Sequence, residues 1–282
     1  MKTYLVPIDF SDAGDNAAGF AAELSKQTDV QDIILMNAYY ISVYETMFPD
    51  PNMMMLRDQE IEENAMERIA QLEKLKRKLQ KQVRPGVKLH IRLNRTHLLR
   101  AVVDTAAIDN VDLVILGSKG NSSSTENNIG SHVIKISKAC PVPIIIVPPA
   151  YHYRLIDHAV IACDFNKVTE NIPLGALHKL LGKQPIQLLV VNIDTDNKHA
   201  DEDPERLAEE TALHTMLKGF HPRYYYVNKP DVINSILDFA DKHSAQIVIA
   251  LPHKYSFFQS IIHTSVSQQL ASSSSVPVLL LK

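Results

Sequence analysis

Three glycines and a serine, Gly117, Gly120, Gly130 and Ser131, punctuate the stretch GSKGNSSSTENNIGS (117–131), which opens directly out of the apolar run VDLVIL. Glycine costs conformational entropy wherever it sits, so three in one loop point to torsions or close approaches that a side chain would block. Such a loop can turn backbone N–H groups toward an anion. A helix starting at its far end adds free N–H groups and the positive end of its dipole. A phosphate chain is the natural guest, with Ser131 able to cap the helix or lend its hydroxyl to a phosphate oxygen. The pattern is not GxxxxGK[ST], and the single Gly-Lys pair, Gly182-Lys183, is followed by Gln184. A second candidate is Asp9, at the end of the apolar run YLVPIDFS (4–11). A carboxylate at a strand tip can form a turn or cap the next helix.

The elements that must position these residues are read from a repeat. YLVPIDFS is similar to AVIACDFN (159–166), pairing Asp9 with Asp164, and ILMNA (34–38) to LVVNI (189–193), pairing Asn37 with Asn192, both at an offset of 155. Further along, DLVILG (112–117) matches QIVIAL (246–251) and VPIIIV (142–147) matches VPVLLL (276–281), pairing Pro143 with Pro277 at an offset of 134. The second copy is therefore the shorter one between Ala38 and Asn94, in the region of YETMFPDPNMMMLRDQ. Continuous apolar runs predict strands buried on both faces of a parallel sheet near 3–8, 32–38, 87–93, 111–116 and 143–147, with helices near 12–27, 56–82, 96–108 and 131–139. The second copy predicts strands near 158–163, 186–193, 223–227, 246–250 and 277–281. The class is α/β, two tandem open parallel-sheet domains over 1–149 and 150–282, with PPAYHYRL (148–155) as linker. In each, a ligand crevice lies at the carboxyl ends of the strands. The glycine loop and Asp9 both fall there.

GxxG, nine residues and then Gly-Ser resembles the ATP-binding signature of the universal stress protein family, at Gly117, Gly120, Gly130 and Ser131. VPIDFSD resembles that family's first strand with its nucleotide-side aspartate, and VPIIIVPP its last strand. The resemblance implies a Rossmann-like, adenine nucleotide α-hydrolase-like fold. It also implies ATP as ligand, with Mg or Mn on the phosphates, Asp9 at the ribose or adenine and main-chain groups around Ala38 at the adenine edge. Two such units resemble the tandem members of the family, whose terminal strands pair antiparallel so that the chain is an intrachain pseudo-dimer. The second copy departs from the signature: Gly117, Gly120 and Gly130 become Leu251, Lys254 and Thr264, and only the serine is kept, as Ser265. Pro252 removes a further N–H. One nucleotide per chain, in the first unit, is expected.

Other features narrow the function. The 282 residues are 45% hydrophobic and 22% charged with a net charge of −3, which gives no basic footprint for nucleic acid. KLKRK (74–78) reads as a solvated helix face. No apolar run approaches a membrane span or a signal peptide, and Cys140 and Cys163 form no CxxC pair, so a reduced, cytoplasmic setting is expected. Twelve histidines show no metal-ligand spacing. Glu60, Glu63 and Glu67 sit with Lys74, Lys76 and Arg77 on a polar helix and read as solvated pairs. SSSS (272–275) reads as a loop. Met53-Met54-Met55 reads as core or loop packing in preference to an adaptable partner surface. No residue stands out as a general base or nucleophile, which favours a nucleotide-binding regulator, with an unidentified protein partner or further homo-oligomer, over a slow ATPase. A nucleotide-independent interaction module is the other alternative.

Overall fold

The computed structural model of the chain describes residues 2–42, 51–118, 131–163, 168, 172, 174–181, 186–194, 204–250 and 275–281. In its first half the elements run β1 (Thr3–Pro7), α1 (Asp12–Leu24), β2 (Asp32–Ala38), α2 (Pro51–Leu79), β3 (Lys88–Asn94), α3 (Leu98–Ile108), β4 (Leu113–Gly117), α4 (Ser131–Ala139) and β5 (Ile144–Val147). The second half continues β6 (His158–Ala162), α5 (Leu174–Leu181), β7 (Gln187–Asp194), α6 (Pro204–Leu217), β8 (Arg223–Asn228), α7 (Val232–Lys242), β9 (Ile247–Ala250) and β10 (Val278–Leu280).

All ten strands form one sheet in the order β3-β2-β1-β4-β5-β10-β9-β6-β7-β8. Each half has the same order read outward from the middle. Every ladder is parallel except the central one, where β5 and β10 run antiparallel with Ile144, Ile145 and Ile146 opposite Leu280, Leu279 and Val278. This is the expected pairing of the two terminal strands. The apolar runs are buried as expected: β5 and β9 are buried at every position. Only the outermost strands, β3 and β8, alternate toward solvent, which their mixed sequences KLHIRLN and RYYYVN allow.

The repeat holds in hydrogen bonds as well as in strands. Val114 N–H donates to Pro143 O, and Val248 N–H to Pro277 O, both at 3.0 Å. The Asp112 carboxylate accepts from Lys2 N–H (2.7 Å) and Thr3 N–H (3.2 Å); Gln246 Oε1 accepts from the corresponding Asp157 N–H (2.9 Å) and His158 N–H (2.8 Å). A neutral amide suits the second position because Gln246 is buried, where a carboxylate would be costly.

The linker between the two repeats is an ordered strap. Asn16 Nδ2 donates to Pro148 O (2.9 Å) and Tyr151 O (3.0 Å), and Gln27 donates to Ile156 O (3.1 Å) while accepting from Ile156 N–H (2.8 Å) and the Tyr153 hydroxyl. Tyr151 and Tyr153 pack on Phe20, and the Tyr151 hydroxyl donates to Gln246 O (3.2 Å), so the strap fastens α1 to the second half. The apolar tyrosine bodies and these bonds supply what a free linker lacks. One expectation needs correction: α2 starts at Pro51 rather than near 56 and carries Met53–Met55 in a helix. Proline suits a first helical position, and the following residues are good helix formers. Met55 is 69% exposed, so it is not core.

Candidate functional site

The end of β1 is a tight, strained turn. Ile8 N–H extends the β1–β2 ladder to Met36 O at 2.7 Å, and Asp9 follows at the rim. Asp9 Oδ1 accepts from Ser11 N–H (3.1 Å) and the Ser11 hydroxyl (2.5 Å), while Ser11 Oγ caps α1 by accepting from Gly14 N–H at 3.1 Å. Asp9 is thus a turn former and Ser11 the cap. Between them Phe10 has φ +60°, a left-handed conformation that is unfavourable for a bulky side chain and is held by its surroundings. Gly14 makes room for the carboxylate: a Cβ there would lie 2.7 Å from Asp9 Oδ1. The sequence reading missed Gly14 and the strain at Phe10, although DFSDAG carries the aspartate, cap serine and glycine at turn spacing.

The neighbouring rim is built on Asn37. Its buried amide donates from Nδ2 to Ile8 O (2.7 Å), and its Oδ1 accepts from Arg68 of α2 (3.1 Å). The Arg68 guanidinium also lies 4.8 Å from the Tyr39 ring centre, a cation–π placement. Ala38 is opposite Asn94 in the β2–β3 ladder, and beyond it Tyr40 stacks on His97 with centroids 3.8 Å apart. In the second half Asn192 makes the same bond to Cys163 O at 2.7 Å, as the repeat requires. Removing the arginine should therefore act on the first half alone. Arg68→Ala is expected to cost about 1–3 kcal/mol, because it leaves a buried Asn37 oxygen unpaired. Chemical denaturation checks this, with Arg77→Ala, exposed on the same helix, as the neutral comparison.

Gly117 closes β4, and here the reason for a glycine is visible. A Cβ at Gly117 would stand 2.6 Å from Ala13 O and 2.8 Å from Ala13 C, inside the backbone of α1. The close approach read from the sequence is a helix–strand contact at this position. Ser118 then continues the rim, its N–H donating to Val147 O at 2.9 Å. Gly120 and Gly130 lie outside the described residues. Ser131 is the first residue of α4 with an exposed side chain, one position inside the expected cap.

The parallel registers set these ends side by side. Leu5 is level with Val114 and Pro7 with Met36, so continuing the ladders brings Ile8 level with Gly117 and Asp9 with Ala38. Adjacent strands are about 4.8 Å apart, which puts Asp9 between the Ala38 and Gly117 ends on one rim of the sheet. A few other charged groups complete the picture. Burial, ahead of the nearby charges, raises the Asp15 carboxyl in the first turn of α1. Glu60 pairs with Arg57, and Glu63 and Glu67 accept from Gln59 and Gln71, as solvated helix pairs. Among the described residues no cluster of three His, Cys, Asp or Glu side chains could hold a metal, and no helix is long and apolar enough to cross a membrane. Asp164, Leu251, Lys254, Thr264 and Ser265 of the second copy lie outside the described residues.

The model of the universal stress protein family matches residues 1–148, the half that contains Asp9, Ala38 and the glycine loop. The chain belongs to this family. A universal stress protein from Archaeoglobus fulgidus is similar along nearly the whole length, at 16% identity over 99% of this chain and 96% of that one, with a TM-score of 0.63. A functionally unknown protein of Pseudomonas aeruginosa PAO1 is 11% identical over 100% of this chain and 92% of that one, with a TM-score of 0.58. At these identities the likeness is one of fold. No curated protein matches the sequence.

Proposed function

We propose that this universal stress protein is an ATP-binding regulator of the stress response, composed of two units, 1–149 and 150–282, of which only the first holds nucleotide. The observation that supports the reading is the position of the two residues that flank the glycine-rich stretch: Gly117 ends β4 on the rim beside Asp9, and Ser131 begins α4. In the proposed complex the adenine meets main-chain groups at Ala38, Asp9 faces the ribose, and the phosphates lie in the 117–131 loop. Gly120 and Gly130 give them room, and the first turn of α4 and the Ser131 hydroxyl receive negative charge. The exposed Ser131 side chain fits that task. Mg or Mn would ride on the phosphates. The second unit carries Leu251, Lys254 and Thr264 in place of the glycines, and on this reading it does not hold a triphosphate in the same manner. ATP occupancy then sets the surface offered to a protein partner in the cytoplasm, with no dedicated catalytic group.

Calorimetric titration with ATP is expected to give one site per chain. Asp9→Ala should weaken it by about tenfold or more, the loss of a hydrogen bond to a charged group, while Asp164→Ala leaves it unchanged. Gly130→Val should remove binding from a folded protein. Unchanged affinity in that variant, or two equivalent sites, defeats the proposal. Analysis of the bound nucleotide after incubation separates binding from turnover: it should be recovered intact.

A further inference from the structure

We propose that α2 is a self-association helix, which pairs antiparallel with α2 of a second copy of this chain about a twofold axis near Met66. This inference is independent of nucleotide binding. The helix has 29 residues, about 43 Å, and among its described side chains the buried ones are Ala65, Leu72, Leu75 and Leu79. Among the described residues of 55–64 none is buried, and Glu62 reaches Arg95, just beyond β3, at 3.1 Å. Met55 (69% exposed), Met66 (61%) and Ile69 (37%) are apolar side chains turned to solvent. Spacings of eleven and three residues put them on one face of the helix, three turns and one turn apart. A polar helix that needs only solvation has no use for such a stripe.

Charge selects the occupant. Residues 51–67 carry five carboxylates against one arginine, and residues 68–81 carry six lysines and arginines against one glutamate. The helix dipole favours that segregation within one helix but does not account for the exposed stripe on the same element. An antiparallel copy satisfies both. It lays each acidic segment along the other's basic segment, brings Met66 against Met66, and covers Met55 with the aliphatic stem of the partner copy's basic end. A parallel copy would oppose like charges throughout. The corresponding helix of the second half, α6, has 14 residues, so the surface belongs to the first half.

Sedimentation of the full chain at about 100 µM should show a dimer, in the range expected of a modest interface, that weakens as salt shortens the Debye length. Met66→Lys should raise the dissociation constant by at least about tenfold, by placing two like charges at the axis and removing apolar contact. Leu207→Lys, which alters an exposed leucine away from α2, should leave it unchanged. Met66→Cys should form an interchain disulfide under mild oxidation, against a background in which Cys140 and Cys163 are both buried. A chain that remains monomeric, a dimer indifferent to Met66→Lys, or a partner other than this chain occupying the stripe overturns the proposal. Circular dichroism confirms that each variant is folded.

Discussion

Ile145→Asp is expected to abolish the joined fold. Ile145 and Leu279 face each other across the central antiparallel ladder, and both have 0% exposure. Among the described residues the β5–β10 ladder is the sole sheet contact between the two halves. Losing the isoleucine side chain from such a position costs about 2–5 kcal/mol, and a buried carboxylate with no partner adds several more. That approaches the whole stability of a typical domain, about 5–15 kcal/mol. The aspartate variant should either fail to fold or open at the centre, with the 148–157 strap retaining one half near the other. Leu279→Asp should do the same from the other side. Leu207→Asp, at a position 65% exposed, should shift stability by no more than about 0.5 kcal/mol. Denaturation and solution scattering together read the result. An Ile145→Asp protein with the stability and compact profile of the parent would show that the central ladder does not hold the halves together.

The reach of the sequence is clearest where information is local or repeated. Continuous apolar runs mark the eight inner strands to within about two residues, because burial on both faces leaves no other pattern for such a strand; the mixed edge strands β3 and β8 carry a weaker signal. The offset of 155 paired Asn37 with Asn192, and both amides donate to the carbonyl at the end of the neighbouring strand, Ile8 or Cys163. Partners far apart along the chain were out of reach. Nothing near Gln27 announces that it receives Ile156 N–H, and nothing near Arg68 announces Asn37. α2 starts earlier than its periodicity predicts because a proline followed by methionines suits both a loop and a first helical turn. At the rim, the close approach signalled by Gly117 was legible, while the approaching group was not. A ligand phosphate and the α1 backbone leave the same mark on a glycine.

That ambiguity leads to a sharp expectation for Gly117→Val in the absence of any nucleotide. Its Cβ would fall 2.6 Å from Ala13 O and 3.2 Å from Ala13 Cβ, and the first two atoms it meets are backbone. A backbone neighbour cannot rotate away as a long side chain can, so either β4 or α1 must move. β4 is held on both sides, by β1 and β5, and α1 is held by its Ser11 cap, its buried alanine face and the strap. With both elements fixed, the strain should reach about 3 kcal/mol or more, the upper end of overpacking costs. Any shift of α1 also disturbs the Asp9–Ser11–Gly14 turn, so the proposed nucleotide affinity should fall with the stability. Gly130→Val should separate the two effects, losing affinity with little change in stability. Denaturation of the apo protein decides the matter. Parental stability in Gly117→Val would mean that α1 can yield, and would leave the ligand as the reason for this glycine.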